Sequence, residues 1–398
     1  MAPASPVHVP LLRAGRSYRS LEIARLADLR DGSPVAEVSQ ASPGLIARDL
    51  GRIGGARRAL EERSVAELLE ICSRAAGLFE TAELPVGDPD ADGAELQGPE
   101  GYLESLAATA GMPIALGRAN MGKIVRALEN QGAILGGLTR GLDLSALDRG
   151  WTLEGERRVS FLRQADALGA VLPNNSPGVH TLWLPAIPLK TPLVLRPGSA
   201  EPWTPLRIAR ALLAAGCPPE ALSVYPGGHE GADRILLSCQ RSMVFGDAST
   251  VERWSRDTRV QAHGPGWSKV FLDHGAAGSW PEHLDLIADS VLANGGRSCI
   301  NASGVWTAAA GRELAEALAR RLAEVTARPL DDPRAQLAAF PDPAIAHRIS
   351  AGIDAALAAG GAEDLTAAHR DGGRVAEAGG ATFLLPTVIW CSDPDHPL

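Results

Sequence analysis

The residues with the clearest chemical potential in this chain are those of Asn294-Gly295-Gly296-Arg297-Ser298-Cys299-Ile300-Asn301. A thiol placed just after a glycine-punctuated helix end is accessible without hanging on a floppy loop. As a thiolate it can bond a carbonyl carbon, and it then needs oxyanion donors nearby and a cofactor as outlet. The plain alternative for any cysteine is a small buried hydrophobe. That reading suits Cys72, Cys217 and Cys239, which lie in or near helical patterns without a polar setting. Residues on their own leave both readings open for Cys299.

The elements that must position this turn can be read from periodicity. From His283 to Ala293, Leu284, Leu286, Ile287, Val291 and Leu292 follow amphipathic helical spacing, and Asn294, Gly295 and Gly296 supply a left-handed stop. Earlier, Ser64–Phe79 predicts a helix with Val65, Leu68, Leu69, Ile71 and Cys72 on one side. Residues 1 to about 55 read as short extended segments, with Gly51-Arg52-Ile53-Gly54-Gly55 as a loop. An acidic, turn-rich link spans Val86–Glu100. Helical patterns run from Tyr102 to Gly136, and Leu142–Val171 reads as a hairpin or short strands.

From Ala170 the texture becomes strand, turn, helix, repeated. Strands are expected at Ala170–Leu172, Pro192–Leu195, Ser223–Tyr225 and Met243–Phe245. A helix-like run leads to Ile187, and another helix follows with Thr204 as cap and Pro205 in its first turn. That alternation predicts a parallel, doubly wound α/β sheet whose ligands bind at the carboxyl ends of the strands. Asn175, Arg196 to Ser199, Gly227-Gly228 and Gly246-Asp247 occupy those ends. No Gly-x-Gly-x-x-Gly fingerprint follows any of these strands.

Composition narrows the classes. With 398 residues, 45% hydrophobic and 21% charged, the chain has material for one large domain or two. A net charge of −9 argues against a nucleic-acid surface, and the eight tryptophans form no stacking platform. No apolar run approaches the ~20 residues of a membrane span, and no signal h-region opens the chain. Five scattered cysteines fit a reducing cytoplasm, so a cytoplasmic location is expected. His180, His229, His274, His283 and His347 have no ligand spacing, and no metal is expected.

Taken in order, these segments resemble the aldehyde dehydrogenase superfamily over roughly residues 30 to 398. Pro173-Asn174-Asn175-Ser176-Pro177 stands where the family has Pro-Trp-Asn-Phe-Pro. Arg196-Pro197-Gly198-Ser199 resembles its ribose-binding strand end. Gly216-Cys217-Pro218-Pro219 with Val224-Tyr225-Pro226-Gly227 is similar to its G-x-P-P and V-x-P-G pieces. Phe245-Gly246-Asp247-Ala248-Ser249 falls at its Phe-Thr-Gly-Ser. The Cys299 segment resembles its nucleophile turn, and Phe383–Val388 its late Phe-x-x-Pro-Thr strand.

The resemblance implies an aldehyde dehydrogenase-like α/β fold. Its parts would be an N-terminal portion of a Rossmann-like cofactor domain (1–143), an oligomerisation hairpin (144–165), the rest of the cofactor domain (166–262) and a catalytic domain (263–398). It further implies Cys299 as nucleophile, Asn175 with the Cys299 N–H as oxyanion donors, and a cofactor rim of Pro173, Arg196, Ser199, Gly227, Gly246 and Asp247. Arg297, His263 or a bound nicotinamide cation would favour the thiolate.

The departures are equally informative. His263, in Ala262-His263-Gly264-Pro265-Gly266-Trp267, replaces the glutamate that serves hydrolytic members as base. It is read either as a base or as a spacer in an enzyme that never uses water. Leu172–Val179 and Glu201-Pro202-Trp203-Thr204 are similar to the fatty-acyl-CoA reductase branch, in which a thiol rather than water takes the acyl group. Ser199 in place of the ribose-binding glutamate, with Arg196 nearby, favours NADP or dual use over strict NAD.

The chain stops at Leu398, before the family's Glu-x-Phe-Gly-Pro segment and final oligomerisation strand, so a C-terminally short catalytic domain is expected. The expected partners are a small-molecule aldehyde or acyl-CoA and further copies of the chain in a homo-oligomer. The first choice of function is an NAD(P)-dependent enzyme interconverting aldehyde and acyl thioester. A hydrolytic aldehyde dehydrogenase and a catalytically inactive homologue are the alternatives.

Overall fold

The structure, a computed structural model, describes residues 6–90, 95–393 and 396. The middle of the acidic link, Ala91–Ala94, and the final Pro394, Asp395, Pro397 and Leu398 thus fall outside the described residues. The chain divides into two compact units. The first comprises Met1–Ala27, Ser33–Ser105 and Arg118–Gly264, and the second Asp28–Gly32, Leu106–Gly117 and Pro265–Leu398.

The first unit is built on a seven-stranded sheet. Leu168–Val171 lies beside Leu193–Arg196, which lies beside Leu222–Val224, all parallel. On its other side Leu168–Val171 pairs with Arg241–Phe245, and that strand with Val260–His263, again parallel. Leu11–Arg13 and Arg16–Tyr18 complete the Leu222–Val224 edge antiparallel. The central strands are short and almost wholly apolar, as strands covered on both faces must be.

After Leu168–Val171 the chain moves to one side of the sheet, and after Arg241–Phe245 to the other. The carboxyl ends of these neighbouring strands therefore form a topological switch point, where the connecting loops diverge and leave a crevice. Gly169 keeps the covering helix His229–Ser238 close. A Cβ there would sit 2.8 Å from Ile235 Cγ2 and 3.2 Å from Cys239 Cβ.

The helix Val65–Thr81 begins at the capping box that Ser64 and Glu67 encode. Ser64 Oγ accepts the Glu67 N–H, and a Glu67 carboxylate oxygen accepts the Ser64 N–H at 2.7 Å. Its buried face includes Leu68, Ile71, Cys72 and Phe79. Helices also occupy Pro99–Ala110, Ile114–Glu129 and Gln131–Leu138, as the periodicity predicts. Trp151–Glu154 and Arg157–Ser160 form an antiparallel hairpin, with Arg158 over the Trp151 ring.

Four local expectations are corrected. Pro43–Leu50, within the stretch read as short extended segments, is a helix that Ser42 caps by accepting the Leu45 N–H at 3.3 Å. Residues 53–55 open the helix Ile53–Glu61 rather than a loop, because burial of Ala56 and Leu60 outweighs the poor propensity of the two glycines. The run to Ile187 forms 3₁₀ turns, Pro177–Leu182 and Leu184–Ala186, since closely spaced prolines deny an α-helical ladder its N–H donors. Thr204 does not cap its helix. The helix spans Trp203–Ala214, and Glu201 accepts the Thr204 N–H at 2.8 Å.

The second unit pairs Lys269–Leu272 with Gly304–Thr307 in parallel and Val375–Ala378 with Ala381–Leu384 as a hairpin. Helices Leu284–Leu292, Gly311–Ala323 and Pro343–Ala358 accompany them. Its core contains Ile287, Leu292, Leu314, Leu318, Leu322, Leu337 and Phe383. Among the described residues no helix is long and apolar enough to cross a membrane.

Replacing Gly169 by Val forces the His229–Ser238 helix off the sheet. The expected cost is about 1–3 kcal/mol, typical of overpacking, read as a lowered urea midpoint with an unchanged slope.

Candidate active site

At the rim of the first unit's sheet, the segment after Leu168–Val171 is fixed by its neighbour. Leu172 N–H donates to the Arg196 carbonyl at 2.8 Å, and Asn174 Oδ1 accepts the Ala200 N–H at 2.8 Å. Gly198 makes this approach possible: a Cβ there would stand 2.3 Å from Asn174 Oδ1. Asn175 follows directly and is half-buried, like Pro173.

Arg196 spans two strand ends. Its Nε and Nη2 both donate to the Gly227 carbonyl, at 2.9 and 2.6 Å, and desolvation lowers its pKa. Its partner is a carbonyl rather than a carboxylate. Gly227 is buried with its own neighbour close, a Cβ there meeting the Ala41 carbonyl at 3.1 Å. Ser199 stands exposed beside them.

Gly246 lies against Thr250, whose side chain a Cβ would meet at 2.5 Å. Asp247 caps the short helix Ala248–Trp254. Its Oδ1 accepts the Thr250 N–H at 2.9 Å and the Ser249 and Thr250 hydroxyls at 2.8 Å, and these bonds hold its pKa at about 2.

His263 ends the neighbouring strand and stacks on Phe245, ring centroids 4.5 Å apart and planes 11° from parallel. Burial holds its pKa below the ordinary 6.5, so the imidazole is neutral at pH 7. Its Nε2 is enclosed and has no hydrogen-bond partner among the described residues. The first unit thus brings together Pro173, Asn175, Arg196, Ser199, Gly227, Gly246, Asp247 and His263 on or just after strand ends.

Cys299 belongs to the second unit. The helix Leu284–Leu292 ends as the sequence predicts, with Asn294, Gly295 and Gly296 at φ of 54°, 75° and 76°. The turn is then stitched to two other segments. Arg297 Nη1 donates to the carbonyls of Ala110 and Ala339, both at 2.7 Å, and desolvation lowers its pKa to about 10, still protonated at neutral pH. Ala338 N–H donates to the Gly295 carbonyl at 3.1 Å, and Ala339 N–H to the Gly111 carbonyl at 2.8 Å. Asn301 Nδ2 reaches back to the carbonyls of Val291 and Ala293 at 2.8 and 2.7 Å.

These bonds make Arg297 a clamp on the turn. Cys299 itself is exposed. The other thiols are different. Burial pushes Cys72, Cys217 and Cys239 up to about 12, and Cys391 is half-buried and also raised.

Gly266 is a site residue that its sequence context does not expose. A Cβ there would lie 2.0 Å from the Cys299 carbonyl oxygen, so the chain can pass beside the Cys299 turn only as glycine. The Gly264-Pro265-Gly266 punctuation was the available signal. The carbonyls that hold Arg297 have no sequence signature at all. Among the described residues no cluster of His, Cys, Asp and Glu is arranged to hold a metal ion.

The sequence pattern of the aldehyde dehydrogenase family matches residues 102–398. The chain belongs to the aldehyde dehydrogenase family. Solved structures agree on the fold of this family member. A putative aldehyde dehydrogenase from Burkholderia cenocepacia superposes with a TM-score of 0.79 at 17% identity, over 98% of this chain and 77% of that one. An NAD-dependent aldehyde dehydrogenase from Sinorhizobium meliloti gives 0.76 at 21%, over 99% and 75%. The NAD+ complex of the Bacillus cereus aldehyde dehydrogenase gives 0.75 at 16%, over 98% and 76%. No curated protein matches the chain.

Two outcomes are expected for this aldehyde dehydrogenase family member. Arg297→Met leaves two carbonyls unanswered and should cost about 3 kcal/mol in urea unfolding, from the loss of hydrogen bonds to a charged donor. For His263, the unfolded imidazole keeps its ordinary 6.5 while the folded value is lower. Protons therefore bind the unfolded chain preferentially below pH 6.5, and stability falls as pH drops through the folded value. His263→Gln should remove that part of the acid sensitivity. Urea midpoints of the two proteins, compared between about pH 7.5 and about pH 5, test it.

Proposed function

We propose that this chain is an NAD(P)-dependent oxidoreductase that interconverts an aldehyde and an acyl thioester through a covalent acyl-Cys299, acting as an acyl-CoA reductase. The observation that carries the reading is His263, a desolvated imidazole stacked on Phe245 where hydrolytic relatives have a carboxylate. Without that carboxylate, water is poorly activated. A thiol, which needs less help as a nucleophile, becomes the natural acyl acceptor.

In the reductive direction, Cys299 Sγ bonds the thioester carbonyl carbon, and the carbonyl π electrons move onto oxygen. The Asn175 side-chain amide and the Cys299 N–H are the donors we assign to that oxyanion, worth about 10²–10³ in rate for one such donor. As the carbonyl re-forms, the bond to the departing thiolate breaks, leaving acyl-Cys299. The Arg297 clamp keeps the turn, and with it the Cys299 N–H, in place while this charge develops.

Nicotinamide dinucleotide use is supported by the NAD+ complex of the Bacillus cereus relative and by the switch-point rim of this chain. The rim suits such a group in one respect: Ser199 stands exposed where the family has a ribose-binding carboxylate, so that strand end sets no negative charge there against a 2′-phosphate. Pro173, Arg196, Ser199 and Gly227 would hold the adenosine side, with Gly246 and Asp247 near the crevice. When bound, the dinucleotide supplies the two-electron oxidation or reduction of the carbon held by Cys299. We also assign the hairpin Trp151–Ser160, with exposed Trp151 and Leu153, to self-association.

One observation favours a second reading. The neutral His263 ring carries an enclosed Nε2 with no hydrogen-bond partner among the described residues; once opened to a water, that atom can take the water's proton, making the enzyme a hydrolytic aldehyde dehydrogenase. Intact-protein mass after mixing with acyl-CoA, then NADPH, separates the readings. The acyl-CoA reductase reading expects an adduct on Cys299 that disappears as aldehyde forms. Release of carboxylic acid without aldehyde would overturn it in favour of hydrolysis. Cys299→Ala should abolish both adduct and turnover while leaving dinucleotide affinity intact.

A further inference from the structure

The segment that carries Asn175 is tied down on both sides by a single turn. On the N-terminal side, Asn174 Oδ1 accepts the Ala200 N–H at 2.8 Å, in the space that Gly198 leaves. On the C-terminal side, His180 Nε2 meets Glu201 Oε2 at 3.1 Å. Ala200 and Glu201 are adjacent, and the turn closes on itself through the Glu201 N–H to the Gly198 carbonyl at 3.2 Å.

The second anchor is a buried chain of polar groups. His180 is 0% exposed and Glu201 1%. Trp183 Nε1–H, which can only donate, points at His180 Nδ1 at 3.2 Å. Nδ1 therefore carries no proton, and the Nε2–H donates to the carboxylate. The other carboxylate oxygen, Oε1, accepts the Thr204 N–H at 2.8 Å, and the Thr204 hydroxyl meets Tyr102 Oη at 2.7 Å. Every member of this set lies in the first unit.

A carboxylate enclosed this completely is costly unless both oxygens are answered from fixed directions, and such networks specify one geometry. Here the geometry specified is that of the loop between Asn174 and His180. A donor for an oxyanion acts only when it is held within a fraction of an ångström of the developing charge.

We propose that Asn174 and Glu201 are positioning residues for Asn175, fixing its amide by fastening both ends of its loop to the Gly198–Glu201 turn. The proposal rests on the assignment of Asn175 as oxyanion donor made above. Neither residue touches the reacting atoms. Asn174 acts through its acceptor oxygen and Glu201 through its pair of acceptors.

The test compares two reactions of the same thiol in the full-length protein. Acylation by p-nitrophenyl acetate forms the Sγ–acyl bond, breaks the ester C–O bond, releases p-nitrophenolate and passes through an oxyanion. Alkylation by iodoacetamide displaces iodide and forms no oxyanion. Asn174→Ala and Glu201→Gln should slow acylation at Cys299 by about tenfold, a tenth or less of the effect of losing the donor itself. Alkylation should stay near wild type.

Asn174→Asp, which keeps an acceptor for the Ala200 N–H, should recover most of the acylation rate. Asn174→Ala added to Asn175→Ala should slow acylation no further. Should Glu201→Gln fail to fold, the Asn174 variants carry the test alone. The proposal is overturned if acylation and alkylation fall together, or if the Asn174 variants acylate at the wild-type rate while Asn175→Ala is slow. If Asn175→Ala itself acylates at the wild-type rate, the oxyanion assignment falls, and this proposal with it.

Discussion

A guanidinium taken out of water needs acceptors for its N–H groups, and this fold meets that demand with backbone carbonyls from separate segments. Arg207 donates to Phe79, Ala82 and Gln97, and Arg210 to Gly87 and the Ser17 hydroxyl. Arg196 donates twice to Gly227, and Arg297 to Ala110 and Ala339. Desolvation lowers each pKa, to about 10 for Arg207 and Arg297, yet leaves the group charged at neutral pH. A charge that must keep its partners is a crosslink. The strand ends of the first unit and the thiol turn of the second are both held in this way.

Glu201 is the anionic counterpart of the same rule. Its carboxylate is answered by the Thr204 N–H and by His180, so that it caps a helix and fastens a loop at once. Like-for-like replacement is difficult at such positions, because a lysine lacks the planar fork and a glutamine turns one acceptor into a donor. Glycine completes the arrangement where the crosslinked segments crowd together. Gly198 admits Asn174, Gly266 admits the Cys299 carbonyl, and Gly295 at φ 75° admits Ala338.

Much of this organisation is legible in the sequence where the signal is local. The capping box of Ser64 and Glu67, the helix stop at Asn294-Gly295-Gly296 and the strand ends from Asn175 to Asp247 all follow from short-range rules. What escapes is decided by tertiary contacts. Gly54 and Gly55 read as a loop, but burial of their helix overrides propensity. Thr204 looks like a cap, yet a residue three positions earlier takes that role, and the hydroxyl goes to Tyr102. Arg297 reads as a cation beside a thiol, whereas its partners are carbonyls distant in sequence. A backbone carbonyl has no identity in a sequence, so clamps of this kind are recognised only once the fold is known.

The uneven burial of the cysteines gives the molecule an internal gauge of its own opening. Cys72 lies on the helix Val65–Thr81, Cys239 directly follows the helix His229–Ser238, and Cys217 sits beside the turn that precedes Leu222–Val224. All three are sealed in the first unit, with thiols pushed up to about 12. A thiol-specific dye that reaches them must wait for those elements to separate, whereas the exposed Cys299 reacts with the closed protein. The native chain therefore carries a prompt signal and a delayed one, and the lag between them measures how often the first unit breathes.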